Sequence, residues 1–265
     1  MRLFDTHAHY WDPRLENELG AAGLDSLLRT LLAGDVPRIV NVATDPISAR
    51  LAIAGAACYP GMYTALGIHP SDGQGMADTA AALAEIEALL RDPASRAVAL
   101  GEIGLDYHYD GTDREAQKAL FRAQMQMAER LSLPVIIHDR EAHGDSVAIV
   151  REFPRVIGVF HSFSGSAEMA QELASLGYYI SFSGTVSFKN AERVRAAAAA
   201  VPQDRLLIET DCPYLTPHPH RGKLNHSGYL HFTNKALAGA VGLTPEECAE
   251  LTFRNACRFF GKKEA

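Results

Sequence analysis

The chain is long enough for one large domain, and its composition is that of a folded protein. It has 265 residues, of which 47% are hydrophobic and 22% are charged, an ordinary balance for a globular protein. Its formal net charge of −7 excludes a broadly basic surface that coats nucleic acid, although a local basic site is compatible with it. These values exclude an intrinsically disordered chain and predict a single domain over residues 1–265.

The cysteine pattern predicts a reducing compartment. None of the four cysteines forms a Cys-x-x-Cys pair, so no thiolate zinc site is expected. The sequence begins on a strand-like run without a secretory leader, and no apolar stretch approaches the ~18 residues of a membrane span. We therefore expect a cytoplasmic protein that does not contact a membrane. The sequence leaves the oligomeric state open, a monomer included.

Eight short apolar runs alternate with helix-like stretches along the chain. The predicted strands are 2–6, 38–42, 62–67, 97–101, 134–138, 156–161, 178–182 and 205–209. The predicted helices are 24–33, 47–58, 79–90, 114–131, 144–152, 167–175 and 191–200, followed by 226–241 and 245–260. Thr244 and Pro245 mark the last helix start, because they combine an N-cap with a proline at the first helical position.

This strand–helix alternation predicts a parallel sheet with right-handed crossovers. Eight strands are the number that closes a (β/α)8 TIM-type barrel, an α/β fold of ~250 residues. The alternative is a doubly wound open sheet, which usually carries a Gly-rich dinucleotide fingerprint after its first strand. Here His7-Ala8-His9 follows that strand instead. We therefore predict the (β/α)8 barrel.

Metal-ligating or titratable side chains stand at the trailing ends of these apolar runs. In a barrel the C-terminal strand ends surround one mouth, where catalytic residues lie. The repetition of the pattern therefore predicts that the side chains converge. They are His7, His9, His69, Glu102, His138, His161 and Asp211.

The predicted cluster has the ligands of a two-metal site. His7 and His9 share a face because residues two apart in a strand point the same way. Imidazole and carboxylate ligands suit Zn²⁺ or Mn²⁺, whereas Mg²⁺ prefers more oxygen. We therefore predict two divalent metal ions (Zn, Mn or Mg). Their two sub-sites share Glu102: His7, His9 and Asp211 form one, and His138 and His161 form the other.

Two residues of this cluster are predicted to be catalytic. A pair of cations ~3.5–4 Å apart can hold and acidify a water. Asp211 is placed to accept the proton of that water as it attacks, and Glu102 is placed to bridge the cations. Glu209 and Asp106 are candidates to orient ligating histidines. A solvated or helix-capping carboxylate is the alternative for both.

A basic turn after the eighth strand is the predicted anion site. Arg221 and Lys223 lie where barrels often bind phosphate, and arginine offers a planar fork for phosphate oxygens. An ordinary basic turn is the alternative. His69 and Arg140, at two other strand ends, are further candidates for substrate contact. Tyr107, Tyr109 and Phe163 are candidates either for stacking on a base or for packing.

Motifs spread from the first strand to Asn225 match one known family. They are Phe4-Asp5-Thr6-His7-Ala8-His9, Gly67-Ile68-His69-Pro70, Gly101-Glu102-Ile103-Gly104-Leu105-Asp106-Tyr107, Leu133-Pro134-Val135-Ile136-Ile137-His138, His161-Ser162-Phe163-Ser164-Gly165, Glu209-Thr210-Asp211-Cys212-Pro213-Tyr214-Leu215 and Arg221-Gly222-Lys223-Leu224-Asn225. Together they resemble the TatD family of metal-dependent hydrolases. The resemblance implies a (β/α)8 barrel and a divalent-metal hydrolase, and it makes the six residues of the two sub-sites metal ligands.

Members of that family are described as deoxyribonucleases that act on DNA ends, with magnesium or another divalent ion. The sequence departs from the family pattern at two places. These differences concern substrate contacts and involve no predicted metal ligand. Ser71 stands where the family often has histidine, and His226-Ser227 stand where it usually has Glu-Pro.

Three functions remain open at this point. The leading one is a 3′–5′ exodeoxyribonuclease that hydrolyses single-stranded or frayed DNA. The second is a metal-dependent deacylase or amidohydrolase that acts on an acyl, amide or ester bond, for example in an aminoacyl-tRNA or a small molecule, because a fold does not fix its substrate. The third is a binding protein without catalysis, which the presence of all six predicted ligands disfavours.

Overall fold

Eight parallel strands form one sheet, in which each strand pairs with its neighbours in chain order. The structure is a computed structural model that describes residues 1–264; residue 265, the last of the predicted domain, lies outside the described residues. The strands are β1 (Phe4–Ala8), β2 (Arg38–Val42), β3 (Met62–Leu66), β4 (Ala97–Asp106), β5 (Val135–Arg140), β6 (Gly158–Phe160), β7 (Tyr179–Phe182) and β8 (Leu206–Ile208).

Helices occupy every crossover between these strands, and two more follow β8. They are α1 (Pro13–Leu19), α2 (Ala21–Ala33), α3 (Pro46–Cys58), α4 (Pro70–Gly73), α5 (Thr79–Arg91), α6 (Arg114–Leu131), α7 (His143–Glu152), α8 (Ala167–Ser175), α9 (Glu192–Ala200), α10 (Leu230–Val241) and α11 (Pro245–Phe259). Within residues 1–264, no helix combines the length and the apolar character that a membrane crossing needs.

The barrel closes between β1 and the segment that follows β8. The hydroxyl of Thr6 donates to the carbonyl of Ile208 at 2.9 Å. Further along, the backbone N–H of Asp211 donates to His7 O at 2.9 Å, and that of His9 donates to Cys212 O at 2.8 Å. Together with the strand order, these bonds confirm the predicted (β/α)8 barrel.

Local signals set the helix starts. Thr244 and Glu247 form a capping box ahead of α11, with Pro245 in the first turn, so this predicted start is confirmed. The short helices α1 and α4 were not predicted. Each follows a capping side chain, Asp12 or His69, that accepts a backbone N–H and precedes a proline. A cap followed by proline is the local signal that identifies such starts.

Helix α11 plugs the N-terminal end of the barrel. The barrel interior is filled by apolar strand residues, among them Phe4, Val40, Ala65, Ile136 and Leu207. The ring of Phe4 lies 6.2 Å from that of Phe253 and 5.6 Å from that of Phe260. Because this end is closed, the opposite end, where the strands finish, is the one left for a site.

Three strands run farther than predicted. β1 ends at Ala8, β4 at Asp106 and β5 at Arg140, so His7 and Glu102 lie within strands rather than after them. The pairing register of β4 with β5 shifts between Leu100 and Ile103. Irregularities of this kind at barrel rims re-aim side chains, and a pattern search that ends a strand at its last apolar residue does not detect them.

Candidate metal centre

Six side chains meet at the open end of the barrel. They come from β1, β4, β5 and the first residues after β1, β6 and β8, and they are His7, His9, Glu102, His138, His161 and Asp211. We call this set the cage. The structure therefore brings together all six residues predicted to bind metal, and their role as ligands stays a prediction.

One sub-site lies around Oε2 of Glu102. His7 Nε2 lies 3.3 Å from this oxygen and 3.7 Å from Asp211 Oδ1. His9 Nε2 lies 3.7 Å from Glu102 Oε2 and 3.3 Å from Asp211 Oδ1. The two Nε2 atoms are 3.1 Å apart. Two nitrogens and two oxygens thus surround one small space.

The second sub-site lies around the other oxygen of Glu102. Oε1 is 2.8 Å from His138 Nδ1 and 2.8 Å from His161 Nε2, and these two nitrogens are 3.2 Å apart. Each oxygen of Glu102 therefore faces a different pair of histidines. A carboxylate placed in this way would offer one oxygen to each of two cations.

In three cage histidines, the ring nitrogen that faces away from the cage already has a hydrogen-bond partner. In a neutral imidazole one nitrogen donates and the other accepts, so a ring that donates outward presents a lone pair to the cage. The three outward pairs are His9 Nδ1 with Val42 O at 2.8 Å, His138 Nε2 with Asp106 Oδ2 at 3.1 Å, and His161 Nδ1 with Glu209 Oε1 at 3.2 Å. Asp106 and Glu209 are thus placed as the sequence predicts.

The donor set fits divalent cations. Lone pairs and carboxylate oxygens that face one another repel unless positive charge lies between them. Burial would raise the pKa of Glu102, but His161 and His7 hold it well below its usual range. Burial would likewise lower the pKa of His161, but Glu102 and Glu209 raise it well above its usual range. The cage is therefore built for positive charge, and its mixed nitrogen and oxygen atoms suit Zn²⁺ or Mn²⁺.

His69 lies at the edge of the cage as a hydrogen-bond donor. Its Nδ1 accepts the backbone N–H of Ser71 at 3.2 Å, so the proton of the neutral ring resides on Nε2, which lies 3.6 Å from Glu102 Oε1. Burial and the neighbouring His138 lower the pKa of His69 to about 3, which keeps the ring neutral. His69 thus directs an N–H toward the cage, as a contact for a substrate oxygen requires.

The predicted basic contacts lie on the rim. The guanidinium of Arg140 lies 5.7 Å from the ring centre of Tyr109, and that of Arg221 lies 4.4 Å from the ring centre of Phe188. Lys223 is exposed in the turn after β8. Contact of these three side chains with substrate stays a prediction.

The three predicted aromatic candidates differ in burial. Phe163 is buried in the core, so it packs rather than stacks on a ligand. Tyr107 is partly buried, and its hydroxyl donates to Asp145 at 2.7 Å. Tyr109 is exposed.

Sequence reasoning missed a buried carboxylate that joins β1 to the segment carrying Asp211. Asp5 accepts the N–H of Thr210 at 2.9 Å and its hydroxyl at 2.6 Å, and the hydroxyl of Ser227 donates to Asp5 at 2.6 Å. Burial raises the pKa of Asp5 to about 6. Asp5 lies two residues before His7 on a strand, which is the signal that identifies it. Ser227, where the sequence departs from the family pattern, thus helps to hold Asp5 in place through this hydrogen bond.

Replacing Asp106 by alanine should weaken metal binding at the sub-site of His138. The change removes the acceptor that fixes the ring orientation of His138, and losing such a partner typically lowers metal affinity by about 10- to 100-fold. Calorimetric titration of the metal-free protein with Zn²⁺ or Mn²⁺ measures the effect. Asp35→Ala, on an exposed turn before β2, is the control. Equal affinity in the two variants would contradict the assigned role.

The chain matches known proteins over nearly its whole length. A family model described as TatD related DNase matches residues 4–261. The uncharacterized metal-dependent hydrolase YabD of Bacillus subtilis is 42% identical, over 97% of this chain and 98% of that one. The uncharacterized metal-dependent hydrolase TatD of Mycobacterium tuberculosis is 37% identical, over 98% of each chain.

A solved crystal structure of another TatD homolog is similar to this chain over nearly its whole length. The crystal structure of YjjV, a TatD homolog from Escherichia coli K12, superposes with a TM-score of 0.89 at 30% identity and covers 99% of both chains. The family match extends from β1 to the end of α11 and includes every residue of the cage. The chain therefore belongs to the TatD family and is a metal-dependent hydrolase built on a (β/α)8 barrel.

Proposed function

We propose that the protein is a 3′–5′ exodeoxyribonuclease that hydrolyses single-stranded or frayed DNA. The observation that carries the proposal is the division of the two Glu102 oxygens between two histidine pairs. Enzymes that displace an oxygen from phosphorus use paired cations in this way. The family description, which names DNases, supports the same reaction.

The chain's own residues have separate roles in this reaction. When bound in the cage, two divalent cations would supply the charge that acidifies a water and neutralises phosphoryl oxygens. Burial would raise the pKa of Asp211, but the neighbouring His9, His161 and His7 lower it. Asp211 is therefore ionised near neutral pH and accepts a proton from the attacking water.

The bond that breaks joins phosphorus to the 3′ oxygen of the penultimate nucleotide. The water oxygen forms the new bond to phosphorus, and the departing oxygen takes a proton from solvent. The products are a nucleoside 5′-monophosphate and a strand shortened by one nucleotide with a 3′ hydroxyl. The N–H of His69 is directed at the same space and donates to a phosphoryl oxygen. Arg140, Arg221 and Lys223 contact flanking phosphates.

End-labelled oligonucleotides test the proposal. Purified protein supplied with Mn²⁺, Zn²⁺ or Mg²⁺ should release mononucleotides from the 3′ end of a single strand, and His161→Ala should release none. A parallel panel of acyl esters and amides tests the deacylase alternative. Turnover of that panel, with no nucleotide release above the His161→Ala control, would replace the nuclease by a deacylase.

The predicted phosphate contacts of the basic turn can be tested through the salt dependence of DNA binding. Replacing both Arg221 and Lys223 by alanine should weaken binding to single-stranded DNA. The plot of the logarithm of the binding constant against the logarithm of the salt concentration should become less steep by about 1.4, because each lost phosphate contact contributes about 0.7. Fluorescence anisotropy in chelator between about 50 and 200 mM salt measures both. The control replaces Arg91 and Arg130, which pair with Glu87 on the outer helices. An unchanged slope in the turn variant would remove this turn from the binding site.

A further inference from the structure

Two aromatic rings stand exposed at the mouth of the barrel. Tyr109 is 59% exposed and Tyr214 is 43% exposed. Tyr109 lies three residues after β4, and Tyr214 lies in the segment after β8, so both follow C-terminal strand ends. The other large apolar side chains described as exposed are aliphatic or methionine: Met1, Leu19, Ile47, Leu51, Ile157 and Leu176. Among residues 1–264, exposed aromatic rings are therefore confined to the end that carries the cage.

One ring lies beside a sub-site, and the other is connected to the second sub-site through two intervening residues. The ring centre of Tyr214 is 6.1 Å from that of His9. Tyr109 lies 5.2 Å from the ring of His108, whose backbone N–H donates at 3.0 Å to Asp106, the partner of His138. Because β4 and β8 are four strands apart in a closed ring of eight, the two tyrosines follow strands on opposite sides of the barrel.

An arginine accompanies each ring. The guanidinium of Arg14 lies 4.1 Å from the ring centre of Tyr214, and Arg140 lies 5.7 Å from that of Tyr109. Asp12 accepts from Arg14 Nε at 3.0 Å and Nη2 at 2.6 Å, and the hydroxyl of Tyr214 donates to the same carboxylate at 3.3 Å. The first pair is thus held in place before any ligand arrives.

An exposed ring with a cation over one of its faces matches the chemistry of an unpaired nucleotide. Aromatic side chains stack on bases regardless of sequence, and neighbouring cations follow the phosphates. A paired base offers no free face to such a ring, because it is already stacked within the duplex. The arrangement therefore favours a single strand over a duplex and over a small ester or amide.

We propose that Tyr109 and Tyr214 are stacking platforms for the two bases that flank the phosphate being cleaved, with Arg140 and Arg14 beside the adjoining phosphates. The inference rests on the proposed hydrolysis of DNA strands and adds its substrate class: a strand with unpaired bases on both sides of the scissile bond.

Strands that lack a single base test the platforms. The substrates are one intact strand and two strands with a stable abasic analogue at the terminal or the penultimate 3′ position. Tyr214→Leu and Tyr109→Leu should each raise KM for the intact strand by about 5- to 150-fold, the range for one lost base stack, with a smaller change in kcat. Each variant should equal the unchanged protein on the strand that already lacks its base.

A matched control uses the same substitution away from the mouth. Tyr59 follows α3 at the closed end of the barrel and has the guanidinium of Arg29 5.5 Å from its ring centre. Tyr59→Leu should leave KM unchanged for all three strands. Tyr214→Phe, which keeps the ring, should retain most of the affinity.

A fluorescent base separates this inference from the proposed function. In metal-free protein, 2-aminopurine at the contacted position should be quenched on binding, and Tyr214→Leu or Tyr109→Leu should abolish the quenching at one position each. Hydrolysis by the unchanged protein with equal KM on intact and abasic strands would overturn the platforms alone. Quenching without nucleotide release would retain the platforms and overturn the nuclease.

Discussion

Replacing Glu102 by alanine should leave a folded protein that retains neither cation. Each sub-site takes one oxygen of this carboxylate, so the change removes a ligand from both at once and leaves the second with two histidine nitrogens. We expect the metal content to fall from two ions per chain to nearly none, and hydrolysis to fall by at least about 1,000-fold, since catalysis depends on the cations. Elemental analysis after gel filtration, with circular dichroism as the check on folding, measures this.

The matched control for Glu102 is Glu115→Ala. Glu115 is a highly exposed glutamate in the first turn of α6, so its loss should alter neither metal content nor hydrolysis. Two ions per chain in the Glu102→Ala protein would show that this side chain does not bridge, and the two-sub-site account would then be wrong.

Replacing Asp211 by alanine should give a different signature. The sub-site of His138 and His161 is untouched, and the other retains His7, His9 and one oxygen of Glu102. We therefore expect most of the metal to remain while kcat falls by about 100- to 10,000-fold, the usual range for losing a positioned proton acceptor. Metal analysis and steady-state kinetics on the same preparation separate the two effects.

Asp211→Asn refines this test. The amide keeps an oxygen beside His9 but does not accept the proton, so its kcat should be as low as that of the alanine variant while its metal content is higher. Loss of metal in proportion to loss of activity in both variants would make Asp211 a ligand only.

The alternation of apolar runs and helical stretches predicts this barrel well, because each run is a strand buried on both faces. All nine predicted helices recur with ends shifted by at most four residues. The short helices α1 and α4 escape prediction because four to seven residues show too little periodicity, so that only a capping residue and a proline mark them. Strand ends are harder to predict, because β1, β4 and β5 continue through polar residues.

The convergence of the cage is predictable for a topological reason: side chains at the C-terminal ends of parallel strands meet at one mouth. The sequence does not tell which atom of each ring faces inward. That choice depends on partners distant in the chain, such as Val42 for His9 and Glu209 for His161. The donor role of His69 depends likewise on a backbone N–H in the turn after it.

The rim was less predictable than the cage. Tyr214 stands in an apolar motif, Cys212-Pro213-Tyr214-Leu215, that reads equally well as buried packing. Phe163, a candidate for stacking, is buried instead. The solvent exposure of an aromatic side chain decides whether it can stack on a ligand or packs in the core. That exposure depends on how several loops pack around the mouth.

The claim on which the rest depends is that Glu102 bridges two cations, and anomalous diffraction from crystals soaked in Zn²⁺ or Mn²⁺ tests it most directly. The account predicts two anomalous peaks about 3.5–4 Å apart, one beside His7, His9 and Asp211 and the other beside His138 and His161, with Glu102 in contact with both. A single peak, or two peaks of which Glu102 contacts only one, would contradict it.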